Sequence, residues 1–206
     1  MRLRIKLQPE KGEFNLTCHY NGYIQAFIYR HLDEWLAKEI HDRGFKDPLT
    51  ERKIKLFTFS RILSKDIKVR DKTITFRGPV NLIISSPHNE FIQSFASNLI
   101  RKGMLYLSDV PLHLMSVEVE ALPPYKERVI VRTLSPVTVY STLQTPDGKK
   151  KTYYYSPFEK DFEELLLENL RRKLRTWSGI DMDGGSVKPF RVSSRNERII
   201  IYKDTV

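Results

Sequence analysis

A single cysteine, Cys18, stands among 206 residues, so no disulfide can form within the chain. That usage fits a reducing, cytoplasmic compartment rather than a secreted, disulfide-stapled scaffold. Long apolar runs are also missing. The longest, such as Val80 to Ile84, fall far short of a bilayer span. The opening MRLRIKLQPE is charged and alternating, which is not the pattern of a signal peptide. The chain has no GxxxxGK(S/T), no GxGxxG after a strand, no HExxH, no CxxC and no GxSxG. Nucleotide-cofactor, zinc-protease and serine-hydrolase readings lose their usual support with them. Five scattered histidines and one cysteine do not make a zinc set. Asp181-Met182-Asp183-Gly184-Gly185 has the start of a calcium loop without its closing glutamate. No metal and no cofactor is implied.

What is present is a hydrophobic fraction of 40% and an aromatic fraction of 11%, enough for a packed core and against intrinsic disorder. Lysine and arginine total 35 against 25 acidic residues, a formal charge of +10. Such an excess favours a polyanionic partner, nucleic acid or an anionic membrane surface, although a solvated basic surface gives the same count. The length suits one ordinary domain or two small ones.

Residues 1–7 alternate, with Leu3, Ile5 and Leu7 opposite Arg2, Arg4 and Lys6, and read as a half-buried strand. Asn21-Gly22 reads as a turn leading into a helix whose apolar positions run Ile24, Phe27, Ile28, Leu32, Trp35, Leu36 and Ile40, with Gly44 as its stop. Strands are expected over 55–60, 67–76 and 80–85, a helix over 87–99, and a strand over 112–120. Strand, helix, strands, helix, strand is the ferredoxin-like order. Phe57, Phe59 and Phe76 then lie on sheet strands, where packing under the helices or stacking on RNA bases would each use them.

Leu122-Pro123-Pro124 interrupts both helix and strand and marks the expected boundary between a domain at 1–121 and one at 122–206. Strands are expected over 128–134, 137–143 and 151–155. A strong helix follows, capped by Ser156 with Pro157 first and Glu159 closing a capping box. Its acidic start and basic end suit the helix dipole. A hairpin is expected over 187–192 and 198–203. The fold class is therefore α+β, tandem ferredoxin-like (RRM-like) domains with antiparallel sheets, the second incomplete.

The stretch NGYIQAFIYRHLDEWLAKEIHDRGF at 21–45, followed by KLFTFSRIL at 55–63, resembles the N-terminal signature of the CRISPR repeat-RNA-processing endoribonucleases of the RAMP superfamily. LSPVTVY at 134–140, YYSPFEKDFEELLLENLRRK at 154–173 and VKPFRV at 187–192 continue the resemblance in order. That family ends in a glycine-rich loop after a final helix; the glycines at 179–185 precede that position. The resemblance implies metal-independent cleavage of repeat RNA, with Tyr29, His41 and Lys55 as catalytic residues. It implies repeat RNA as partner. In the rival reading the chain is a non-catalytic RNA-binding subunit among other CRISPR effector subunits; a homodimer is a further candidate assembly, and no membrane is involved. Lys53, Lys149, Lys150, Lys188 and Arg191 are the candidate RNA contacts.

These residue types suit the chemistry. RNA carries its own nucleophile, the 2′-hydroxyl, so a base, an acid and a cation suffice. The residue types do not divide base and acid between Tyr29 and His41. Each has a structural alternative: Tyr29 borders the apolar stripe, His41 sits where a histidine caps carbonyls, and Lys55 reads as an edge charge on a strand. His31, the other histidine of this stretch, lies near the stripe and reads as buried. In one straight helix, Tyr29 and His41 would stand about 18 Å apart along the axis and about 120° apart around it. A shared site therefore requires the helix to break near His31 to Asp33, with Asp33 capping a second helix that begins at Glu34.

Overall fold

The computed structural model describes residues 1–50 and 52–190. The chain divides into two compact units. One comprises Met1–Lys46 and Glu51–Ser135. The other comprises Asp47–Thr50 and the chain from Pro136 onward. The residues after Leu122-Pro123-Pro124, as far as Ser135, thus belong to the first compact unit. No helix among the described residues is long and apolar enough to cross a membrane.

In the first unit the chain runs β1 (Arg2–Pro9), β2 (Glu13–Thr17), α1 (Asn21–Arg30), α2 (Glu34–Lys38), a π-helical turn (Glu39–Arg43), β3 (Phe45–Lys46), β4 (Lys53–Ile54), β5 (Thr58–Phe59), β6 (Asp66–Arg70), β7 (Thr73–Arg77), β8 (Val80–Ser85), α3 (Asn89–Arg101), β9 (Met104–Leu107) and β10 (Val110–Glu120). The main sheet is antiparallel with order β5-β8-β1-β10-β9. Its first four strands have the ferredoxin-like arrangement, with β1 central and flanked by β8 and β10. The alternation read in residues 1–7 is real: Leu3, Ile5 and Leu7 are buried while the basic residues between them are not. They pack against Ile24, Phe27 and Ile28 of α1 and Phe91, Phe95 and Leu99 of α3 in one apolar cluster. Phe76 is buried and Phe57 and Phe59 pack against this cluster, so the phenylalanines serve the core.

Several elements differ from expectation. Asn21 and Gly22 form the first turn of α1 rather than a turn before it. The segment 67–76 is not one strand, because Asp71, at φ 51°, turns the chain between β6 and β7. β2, where no strand is expected, alternates strictly, with Phe14 and Leu16 buried between exposed Glu13, Asn15 and Thr17, and pairs with β7. Only Thr58–Phe59 of 55–60 pairs in the sheet, so Lys55 lies between strands and not at the start of one. Residues 128–134 form no strand, and Val129, Ile130 and Val131 are exposed: β-branched composition without a neighbouring edge makes no ladder.

The second unit holds an antiparallel hairpin, β11 (Tyr140–Gln144) with β12 (Lys150–Tyr154), and α4 (Lys160–Ser178). Glu159 accepts from the backbone N–H of Ser156 at 2.6 Å, but the chain there is a turn and α4 starts at Lys160. Gly179, at φ 72°, ends the helix and donates to the carbonyl of Arg175. Asp47 is fully buried and accepts two hydrogen bonds from Arg175, at 2.9 and 3.1 Å. Thr50 and the N–H of Leu49 also donate to it. The Arg175 pair is the main cause holding this carboxyl far below the usual range. Arg175 turns its remaining nitrogen to Asp181 at 2.7 Å. The hairpin expected over 187–203 shows no strand at 187–190 and otherwise lies outside the described residues.

Candidate active site

The break between α1 and α2 has a cause on each side. At the end of α1 the His31 ring bonds the Phe27 carbonyl at 2.7 Å, and burial holds its pKa below the ordinary histidine value. His31 is thus buried in the core, as its sequence position suggests. Asp33 then takes an extended conformation (φ −59°, ψ 140°) and α2 begins at Glu34. Its side chain does not cap α2. It accepts instead from Asn98 at 3.0 Å, while its N–H donates to Ser94 at 2.8 Å, so two residues of α3 anchor the break.

After α2 the chain widens into the π turn, in which Gly44 N–H reaches back to the Glu39 carbonyl at 3.0 Å. Such turns are rare and concentrate at functional sites. Gly44 closes it at φ 58°, ψ −172°, and a Cβ there would lie 3.3 Å from the Ile54 carbonyl oxygen. No other residue fits both demands. The β3–β4 ladder follows directly, Phe45 opposite Ile54 and Lys46 opposite Lys53. Lys53 donates to the Asp42 carbonyl at 2.8 Å and so ties the π turn to β4.

This path brings Tyr29, His41 and Lys55 together. The Tyr29 and His41 rings meet edge to face with centroids 5.7 Å apart, and the Lys55 ammonium stands 5.4 Å from the centre of the Tyr29 ring. Phe57 supports Tyr29 from another side at 5.8 Å and stacks on Phe91 at 5.0 Å. Exposure differs sharply within the group. The His41 side chain is 66% exposed. The Tyr29 hydroxyl is enclosed and has no hydrogen-bond partner among the described residues. An enclosed hydroxyl without a partner costs roughly 1–3 kcal/mol. Asp42, not anticipated from the sequence, holds His41 Nδ1 at 2.8 Å, and this bond is the first cause of its depressed carboxyl pKa. IHDRGF contained the signal, a carboxylate next to the histidine.

The candidate RNA contacts are dispersed. Lys53 is exposed beside the π turn but already engaged with Asp42. Lys149 and Lys150 are exposed at the β11–β12 tip, where Lys149 pairs with Asp147 at 3.0 Å. Lys188 is exposed in a loop, and Arg191 lies outside the described residues.

A family model described as CRISPR-associated protein Cas6, N-terminal, matches residues 15–118. A second, CRISPR associated protein Cas6, C-terminal, matches residues 119–206. The CRISPR-associated endoribonuclease Cas6 1 of Methanocaldococcus jannaschii is 30% identical over 176 residues, which are 83% of this chain and 65% of that protein. The chain therefore spans less than two thirds of that relative's length. A solved CRISPR associated protein Cas6 superposes with a TM-score of 0.66 at 28% identity, covering 89% of this chain and 73% of the other. A Cas6-related protein from Pyrococcus furiosus shares the fold, with a TM-score of 0.75 at 20% identity and the same coverage. With both halves matched in order and an α+β, tandem ferredoxin-like architecture of antiparallel sheets, the chain belongs to the Cas6 family of CRISPR-associated proteins.

Proposed function

We propose that this chain is a metal-independent endoribonuclease that binds CRISPR repeat RNA and cuts the precursor transcript into guide RNAs. The observation that carries the reading is the meeting of Tyr29, His41 and Lys55 across a broken helix. The 2′-hydroxyl oxygen attacks the adjacent phosphorus while its proton passes to a base. The P–O5′ bond breaks and the leaving oxygen takes a proton from an acid, giving a 2′,3′-cyclic phosphate and a 5′-hydroxyl. His41 is the exposed proton-transfer group, and Lys55 supplies positive charge for the phosphorane-like state. Tyr29 acts directly only once a neighbour moves off its hydroxyl. The substrate's own hydroxyl is the nucleophile, so no metal-activated water is needed.

The enclosed Tyr29 hydroxyl is also the observation that favours the second reading, a repeat-RNA-binding subunit that does not cut. One experiment separates them: repeat RNA in EDTA, with and without a single 2′-deoxy substitution at the scissile nucleotide. The endonuclease cuts the ribo strand to a cyclic phosphate and binds the deoxy strand without cutting it. Failure to cut the ribo strand leaves the binding reading. Cleavage of the deoxy strand would mean an activated water and sink the proposed mechanism.

A further inference from the structure

We propose that Asp42 is a positioning residue that locks His41 in the tautomer with hydrogen on Nδ1, so that Nε2 alone exchanges protons with the substrate. The proposal rests on the endoribonuclease reading above. Above the carboxylate range, Asp42 can only accept a hydrogen bond. At 2.8 Å from its Oδ1, His41 Nδ1 must therefore be the donor. Neutral His41 then carries its lone pair on Nε2, ready to take the 2′-hydroxyl proton. Protonated His41 carries hydrogen on both nitrogens, and Nε2 again is the one left to give a proton to the leaving oxygen. The carboxylate thus serves both halves of the reaction without being protonated itself.

The backbone around Asp42 is held for this purpose. Lys53 bonds its carbonyl, Gly44 closes the π turn two residues on, and the Tyr29 ring meets the imidazole edge to face. The hydrogen bond from His41 and the positive charges of Lys38 and Lys53 favour the ionised form of Asp42. No second carboxylate is placed to compete for Nδ1 in the structure's hydrogen bonds and ion pairs among the described residues.

The test uses the full chain labelled with nitrogen-15, read through the long-range couplings of the His41 ring at a pH where histidine is neutral. Parent protein is expected to show hydrogen on Nδ1, and Asp42→Ala a mixture of both tautomers. In single-turnover cleavage, Asp42→Ala is expected to slow the maximal rate by about 10- to 100-fold. Half-saturating RNA concentration should stay within about twofold, because an anionic partner of histidine does not bind phosphate. Asp42→Glu should recover part of the rate and the parent tautomer, which separates orientation from loss of fold. Hydrogen on Nε2 in the parent, or an unchanged tautomer in Asp42→Ala, overturns the proposal whatever the rates. An altered tautomer with an unaltered rate overturns it as well. If the parent shows the Nδ1 tautomer yet cuts no RNA, the endoribonuclease reading falls and takes the catalytic use of the pair with it.

Discussion

The two compact units are held from the inside by different forces. The first encloses a continuous apolar cluster running from Leu3 to Leu112, with Phe91, Phe95 and Leu99 of α3 among its fully buried members. Among the described residues of the second, the buried set is short: Val139, Phe162 and the charged pair Asp47 and Arg175. Apolar burial is non-directional and tolerates exchange of one hydrophobe for another of similar size. A buried ion pair is directional, and removing one partner strands the other charge. The same chain therefore uses bulk apolar burial where it sets the site's scaffold and a single polar clamp where its apolar interior is thin.

The largest expected effect tests the first half of that contrast. Phe95→Ala, at a fully buried position, should destabilise the first unit by about 3–5 kcal/mol. Chemical denaturation followed by tryptophan and circular dichroism signals measures it; a loss under about 1 kcal/mol would mean the cluster is not a close-packed core. Asp47→Ala should come next, lowering the melting temperature by roughly 10 °C, because buried Arg175 loses two of its hydrogen bonds and keeps only its partly exposed partner Asp181. The double exchange Asp47→Leu with Arg175→Met should restore most of that loss, since an apolar pair of similar volume replaces both charges. A double variant as unstable as the single one would show that the clamp does more than fill its space.

Acid offers a gentler separation. Burial depresses the His31 pKa, so its contribution is complete above about pH 6.5 and is lost as pH falls through the lowered value. The Asp47 carboxyl is also depressed, but its contribution survives until pH drops below about 4 and is then lost through its own lowered value. Melting curves between pH 7 and pH 3 should therefore weaken the first unit at mild acidity and the second only in stronger acid. Simultaneous weakening at pH 6 would remove the contrast. The smallest effect concerns the surface. Reversing Lys149 and Lys150 to glutamate should leave stability unchanged and lower the slope of log K against log salt for RNA by about 1 for each phosphate no longer neutralised. An unchanged slope assigns the β11–β12 tip to solvent.

Residues 1–7 and the stripe from Ile24 to Ile40 were readable because each has a period that matches one regular structure. The break near Asp33 was readable only through the family resemblance, since a single helix could not bring Tyr29 and His41 to one site. The strand order around β1 followed from element order and the ferredoxin-like rule. Pairing was less readable. The short alternating segment Glu13–Thr17 finds β7, whereas residues 128–134, a β-branched run without alternation, find no edge. The Ser156–Glu159 box formed its bond without starting the helix where its position suggested.

By itself the sequence determined the order of β1, α1, β8, α3 and β10, the family signature from Asn21 to Leu63, and the residue types that RNA cleavage would need. Those are properties of neighbours along the chain, fixed by periodicity, turn chemistry and side-chain pKa. Only the tertiary structure decided that Asp33 is spent on Asn98 rather than on a cap. It likewise decided that Asp42 takes His41 Nδ1, that the Tyr29 hydroxyl is enclosed, and that Asp47 meets Arg175 across 128 residues of chain. A polar partner is chosen by distance and angle in the folded chain, and neither leaves a period in the sequence.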